Sequence, residues 1–126
     1  MKLGSDPQAL LALTPLECSV LRALAHSLGD DGVVLLTQCD RARVISRTHS
    51  GVGFVTKLQV PDDVAGLPAE AVGRIGPVHA RHPELGEPAE FLVQLKTGRL
   101  ASIEAYCHEG MWPADDGGFR VASAPR

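Results

Sequence analysis

The chain has 126 residues, 44% of them hydrophobic and 21% charged, with a net charge of −3 and a pI near 5.9. That length fits one domain, taken as 1–126 with its core in 14–113, and the balance is that of a globular chain. Lys and Arg are scattered rather than clustered along a phosphate track, which argues against nucleic acid as a partner. No apolar run approaches the roughly 20 residues that span a bilayer, and the start shows no signal-peptide pattern, so a cytoplasmic protein without a membrane partner is expected.

Residues 1–13 are expected to be loosely ordered. Thr14, Pro15 and Glu17 then form a helix start: an N-cap, a proline at the first turn and a capping box. Leu16, Val20, Leu21, Leu24 and Leu28 follow helical spacing, and Gly29 suits the C′ position. In residues 31–40 the apolar run Val33–Leu36 fits either a buried strand or a short helix. Asp30 or Asp31 as a cap favours the helix.

"ARVISRT" and "VGFVTKLQV" read as two strands of a hairpin. A three-residue loop, His49-Ser50-Gly51, with Gly51 left-handed in a bulge, separates the faces best. It pairs Val44 with Thr56 and sets Ala42, Val44, Val52, Phe54, Leu58 and Val60 inward. Arg43, Arg47, Gly53 and Lys57 then share the outward face, with Arg43 opposite Lys57. Residues 70–75 suggest a short edge strand and 76–88 a loop, because Gly and Pro interrupt both.

"EFLVQLKTGRLASIEAYC" is treated in the same way. A loop of Lys96, Thr97 and Gly98 sets Phe91 across from Ile103 and Val93 across from Ala101. Phe91, Val93, Leu95, Ala101, Ile103, Ala105 and Cys107 turn inward, and Leu92, Gln94, Ser102, Glu104, Tyr106 and His108 outward. The tail from Pro113 either ends in a brief strand around Phe119 to Ala122 or frays. The expected fold is α+β: one or two N-terminal helices packed on a four- to five-stranded antiparallel sheet.

Few residue groups ask for chemistry. Gly51-Val52-Gly53-Phe54 leads into a strand and lacks both the dinucleotide fingerprint and the P-loop lysine. Gly53 inside a strand points to a close backbone approach or to a ligand lying over it beside Arg47. The Arg43, Arg47, Lys57 face is either solvated, neutralised by Glu104, or open to an acidic partner. His79 and His82 lie three apart in a proline-rich stretch, and Cys107, His108 and Glu109 are consecutive on an extended chain, so no metal site or cofactor is expected. Cys18, Cys39 and Cys107 show no C-x-x-C spacing and read as small buried hydrophobes. Cys107 with His49 or His108 can be imagined as a nucleophile–base pair, but an inward Cys107 would be inert, and Ser50 lies on an exposed loop without a nucleophile elbow. Glu104, Tyr106 and His108 alternate along one strand with Trp112 close behind. They form either a recognition row or, for Tyr106 and Trp112, a cap on the core.

"SRTHSGVGFVTKLQVP" and "AEFLVQLKTGRLASIEAYCHEGMWP" resemble segments of a family of small uncharacterised bacterial proteins. Arg47, Ser50, Gly51, Val52, Gly53, Phe54 and Thr56 match its first motif. Phe91, Leu92, Gly98, Leu100, Glu104, Tyr106, Trp112 and Pro113 match the second. Glu90 stands where the family has glycine and Ile103 where it has leucine. The resemblance covers roughly residues 40–113 and groups Arg47, Gly53, Glu104, Tyr106 and Trp112 into one binding region. In size and acidity the chain is similar to toxin-neutralising immunity proteins.

The functional expectation is a non-catalytic binding protein that recognises a protein or a small anionic ligand, with Arg47 on the anion. A homodimer also fits the pattern. The alternative is a small hydrolase with Glu104 or a histidine as general base; the two separate on whether Glu104 lies in a closed pocket within reach of His49 or His108.

Overall fold

A computed structural model describes residues 12–121. Most of the stretch expected to be loosely ordered (1–13), and Ala122 at the end of the expected last strand, lie outside the described residues. Two N-terminal helices pack on one face of a six-stranded antiparallel open sheet.

Helix α1 (Pro15–Ser27) starts as its sequence dictates. The Glu17 amide donates to Thr14 Oγ1 at 3.1 Å, and the Thr14 amide donates to Glu17 Oε1 at 2.9 Å. Leu28 caps the far end and Gly29 follows at φ +62°. Helix α2 (Asp31–Arg41) resolves the helix-or-strand ambiguity in favour of helix. Its amide ladder satisfies a backbone that a lone strand would leave unpaired.

The strands are β1 (Arg43–Ser50), β2 (Gly53–Gln59), β3 (Val78–Arg81), β4 (Ala89–Lys96), β5 (Arg99–Tyr106) and β6 (Arg120–Val121), in spatial order β1-β2-β5-β4-β3-β6. A four-residue helix α3 (Ala69–Val72) and a 3-10 turn (Asp116–Gly118) complete the chain. The expected edge strand at 70–75 is therefore helical over its first residues, where Pro68 precedes the turn and Ala71 is buried. The expected loop at 76–88 contains β3, because Val78 and Ala80 alternate inward against β4.

Both hairpin registers differ from expectation. In β1–β2 the reversal is tighter: Ser50 pairs with Gly53 and Arg47 with Thr56. Gly51 is not among the glycines with positive φ. The extra residue sits farther along, as a bulge at Ile45 between Val44 and Ser46. A bulge inverts the alternation. Val44 on one side of it and Arg47 on the other therefore both point inward, while Ile45 is left 60% exposed. Arg43 faces Gln59 rather than Lys57, which removes the expected like-charge opposition.

In β4–β5 the turn is Thr97-Gly98, at φ +51° and +79°, the pair of left-handed residues that a two-residue hairpin turn needs. A bulge between Gln94 and Leu95 then shifts the ladder, so that Val93 faces Ile103 and Phe91 faces Ala105. The offset from the expected register is two residues there, so parity is kept. Phe91, Val93, Ile103, Ala105 and Cys107 are buried as expected, and near the turn Leu100 is buried in place of Ala101.

The core lies between helices and sheet. Phe91, Leu21, Leu24, Leu35 and Ile103 are its largest fully buried apolar side chains, each worth about 1.5–3 kcal/mol on removal from water.

Candidate functional site

Five residues enter the structure as one expected region, and the sheet divides them between its two faces. Arg47 belongs to the inner face. Its Nη2 donates to Glu17 Oε1 at 2.7 Å and its Nε to Glu17 Oε2 at 3.2 Å, while Thr56 Oγ1 donates to the same Oε2 at 2.5 Å. Glu17 is fully buried. The guanidinium fork thus neutralises the carboxylate that caps α1, and Arg47 is not the outward anion contact expected of it.

Trp112 also turns to the core. Its ring meets Phe54 and Phe91 edge-on at 5.6 and 5.9 Å and stacks on Phe119 at 4.9 Å. Its amide donates to Gly51 O at 2.8 Å, tying the loop to the hairpin tip. Of the two readings of Trp112, capping the core is the one observed. Gly53 pairs with Tyr106, and a Cβ on it would lie 1.8 Å from Ala105 O. The close backbone approach implied by the sequence is therefore internal, made by β5.

Glu104 and Tyr106 stand on the outer face, which no helix covers among the described residues. Here a centre appears that the sequence reading passed over. Glu90 pairs with Tyr106 across β4–β5, and the phenol donates to Glu90 Oε2 at 2.9 Å. The Nε2 atoms of His108 and His79 lie 3.3 and 3.7 Å from Glu90 Oε1. His108 also meets the Tyr106 ring edge-on at 5.2 Å. The hydrogen bond to Glu90, some burial and the charges of Glu90 and Glu104 together raise the Tyr106 pKa above its usual value. A signal for Glu90 existed in the sequence. The expected register sets Glu90 directly across from Glu104, a like-charge opposition that argues against that register.

Glu104 makes no hydrogen bond to His49 or His108 among the described residues. Glu104 and His49 both line a shallow recess of ≈170 Å³ with Thr48, Ser50, Val55 and Tyr106. The recess is open, so proton transfer there would compete with bulk water.

His82, Cys107 and Cys39 are each at least partly buried in the fold. His82 is buried, with Nε2 2.9 Å from Asp115 O and Nδ1 accepting the Glu84 amide at 3.0 Å. It shares no ligand geometry with the exposed His79. Cys107 is buried and its Sγ lies 3.7 Å from Gly110 O. Burial, with Cys18 and Asp40 nearby, pushes the Cys39 thiol up to about 12, where a thiolate is scarce at neutral pH. Among the described residues no group of three His, Cys, Asp or Glu side chains is disposed to hold a metal ion, and no helix is long and apolar enough to cross a membrane. No protein-family model, curated protein or solved structure matches the chain.

Proposed function

We propose that this chain is a non-catalytic binding protein that meets a protein partner with the outer face of its sheet, in the manner of a toxin-neutralising immunity protein. The observation that supports this most is the Glu104, Tyr106, His108 row around Glu90, on a face left uncovered by helices among the described residues. Tyr106 supplies rigid contact area with a polar tip, and Glu104 a carboxylate uncommitted among the described residues, the mixture that recognition surfaces favour. Half-buried Val55 and Leu92 flank the row and would desolvate on docking.

Arg47 leaves this reading, because Glu17 already holds it. Among the described residues a general-base role for Glu104 has no positioned partner to support it, whereas an open row suits contact over area. The resemblance to small bacterial proteins is part of the same proposal and assigns no activity.

The test is affinity capture from source-cell lysate with the unaltered chain, Tyr106→Ala and Glu104→Lys in parallel, followed by reconstitution of any captured protein with each purified variant. The expected result is a partner that binds the unaltered chain with a dissociation constant at least tenfold below that of either variant. Recovery of no partner, or of one that binds all three alike, would overturn the proposal.

A further inference from the structure

At the edge of the sheet away from the hairpin β1–β2, strand β6 is held to β3 by two residue pairs, and one of them sets Arg81 directly opposite Arg120. Both side chains are exposed. Among the described residues neither guanidinium has a carboxylate within 4 Å or donates a hydrogen bond; the same holds for Arg22 and Arg43, which lie elsewhere, whereas Arg41, Arg47, Arg74 and Arg99 each have an acceptor. Like charges placed directly across a strand pair repel, and a two-residue strand has little ladder to offset the repulsion.

The two arginines line a cleft of ≈300 Å³ with Pro83, Leu85 and His82. Both ring nitrogens of His82 are engaged, one at Asp115 O and the other at the Glu84 amide. The ring therefore offers the cleft carbon edges, in keeping with the apolar wall of Pro83 and Leu85. Glu87 also lines the cleft, more than 4 Å from either guanidinium. Two planar forks beside an apolar wall match an oxyanion attached to a hydrocarbon or aromatic group.

We propose that this cleft is a binding site for an organic anion, a carboxylate or phosphate monoester on an apolar body, held by Arg81 and Arg120. The site is separate from the outer-face row, and its ligand does not depend on the protein partner proposed above. It places anion recognition at Arg81 and Arg120, which line one cleft and have no carboxylate within 4 Å among the described residues, instead of at Arg47.

The experiment is a ¹H–¹⁵N NMR titration of the full chain with benzoate, phenyl phosphate and inorganic phosphate, at ionic strength held constant with sodium chloride. Saturable shifts are expected at the Arg81 and Arg120 Nε–H signals and at the Gly118 amide, with phenyl phosphate binding severalfold more tightly than inorganic phosphate. Arg81→Gln and Arg120→Gln should each weaken binding by about tenfold, the loss of one charge-assisted contact. Glu87→Gln should tighten it severalfold by removing a like charge. Should either arginine variant lose its native spectrum, the Glu87→Gln comparison decides. Linear, non-saturating shifts with all three probes, unchanged affinity in the variants, or no tightening on Glu87→Gln would overturn the site. An equal response to inorganic and phenyl phosphate would overturn the apolar body of the ligand.

Discussion

Each of the two N-terminal helices sends one fully buried polar side chain to one hairpin, and the two differ in charge. Glu17 of α1 reaches β1–β2, where it meets Arg47 and Thr56. Gln38 of α2 reaches β4–β5, where its Nε2 donates to Gly98 O at 2.9 Å and to Ala65 O at 3.0 Å, and its Oε1 accepts the Leu100 amide at 2.9 Å. Both hairpins carry a bulge beside the anchored residue. In β1 the bulge delivers an arginine to the inner face, and in β5 the shift delivers Leu100. The comparison teaches that register here is set where a helix side chain fixes a strand, in addition to the turn. A charged anchor requires a charged partner on the strand; an amide anchor accepts backbone and leaves the strand free to bury a leucine.

The largest effect should come from breaking the charged anchor. Arg47→Ala leaves the Glu17 carboxylate buried without its cation, which should cost about 3–5 kcal/mol, read from the urea midpoint at constant slope. Gln38→Ala leaves the Leu100 N–H unpaired and opens a small void, and should cost less, about 2–3 kcal/mol. Equal costs would break the comparison, and a loss below about 1 kcal/mol for Arg47→Ala would remove the ion pair as the anchor of β1.

What the sequence disclosed and what it hid divide along the same line. The capping box of Thr14 and Glu17 is local and was legible as a motif, as were the apolar stripe of α1 and the inward alternation of Phe54, Leu58, Phe91, Ile103 and Ala105. The second task of Glu17 was hidden, because Arg47 lies 30 positions away. Partitioning faces by polarity assumes that cations point outward, and that assumption chose a register without the Ile45 bulge. Gln38 gave no signal either, since its acceptors lie 27 and 60 positions along the chain. Of the five expected binding residues, Glu104 and Tyr106 are on the outer face; Arg47 and Trp112 serve the core, and Gly53 admits the β5 backbone. The Glu90 centre was obscured because the expected register placed Glu90 two residues away from Tyr106 on the opposing strand.

The two hairpin glycines sharpen the comparison at the turns. Gly98 has φ +79°, and a Cβ there would lie 2.4 Å from Leu67 O. Gly98→Ala should destabilise by about 2 kcal/mol, from the left-handed backbone and the contact together. Gly51 has no positive φ and nothing within 4 Å of its Cβ position. Gly51→Ala should therefore stay within about 0.5 kcal/mol of the unaltered chain. A large loss at Gly51 would restore the left-handed bulge expected there and undo the two-residue turn of β1–β2.

The smallest effect is spectroscopic and reports the pairing of β4 with β5 from the outer face. Tyr106 is the chain's one tyrosine, so tyrosinate absorbance near 295 nm, on the order of the usual phenolate band, follows this phenol alone. Its hydrogen bond to Glu90, and then burial and the Glu90 and Glu104 charges, hold the proton on, so the folded chain should titrate above the ordinary tyrosine value of about 10. The unfolded chain gives up that proton first as the pH rises. The contribution to stability is therefore complete below about pH 10 and declines as the pH climbs toward the folded value. Glu90→Ala should bring the midpoint back toward the ordinary value, since it removes the first cause of the shift and one of the two charges. Glu104→Gln should lower it by less, because Glu104 acts through charge alone. A midpoint that responds more to Glu104 than to Glu90 would place Tyr106 across from the wrong carboxylate and, with it, the whole β4–β5 ladder out of register.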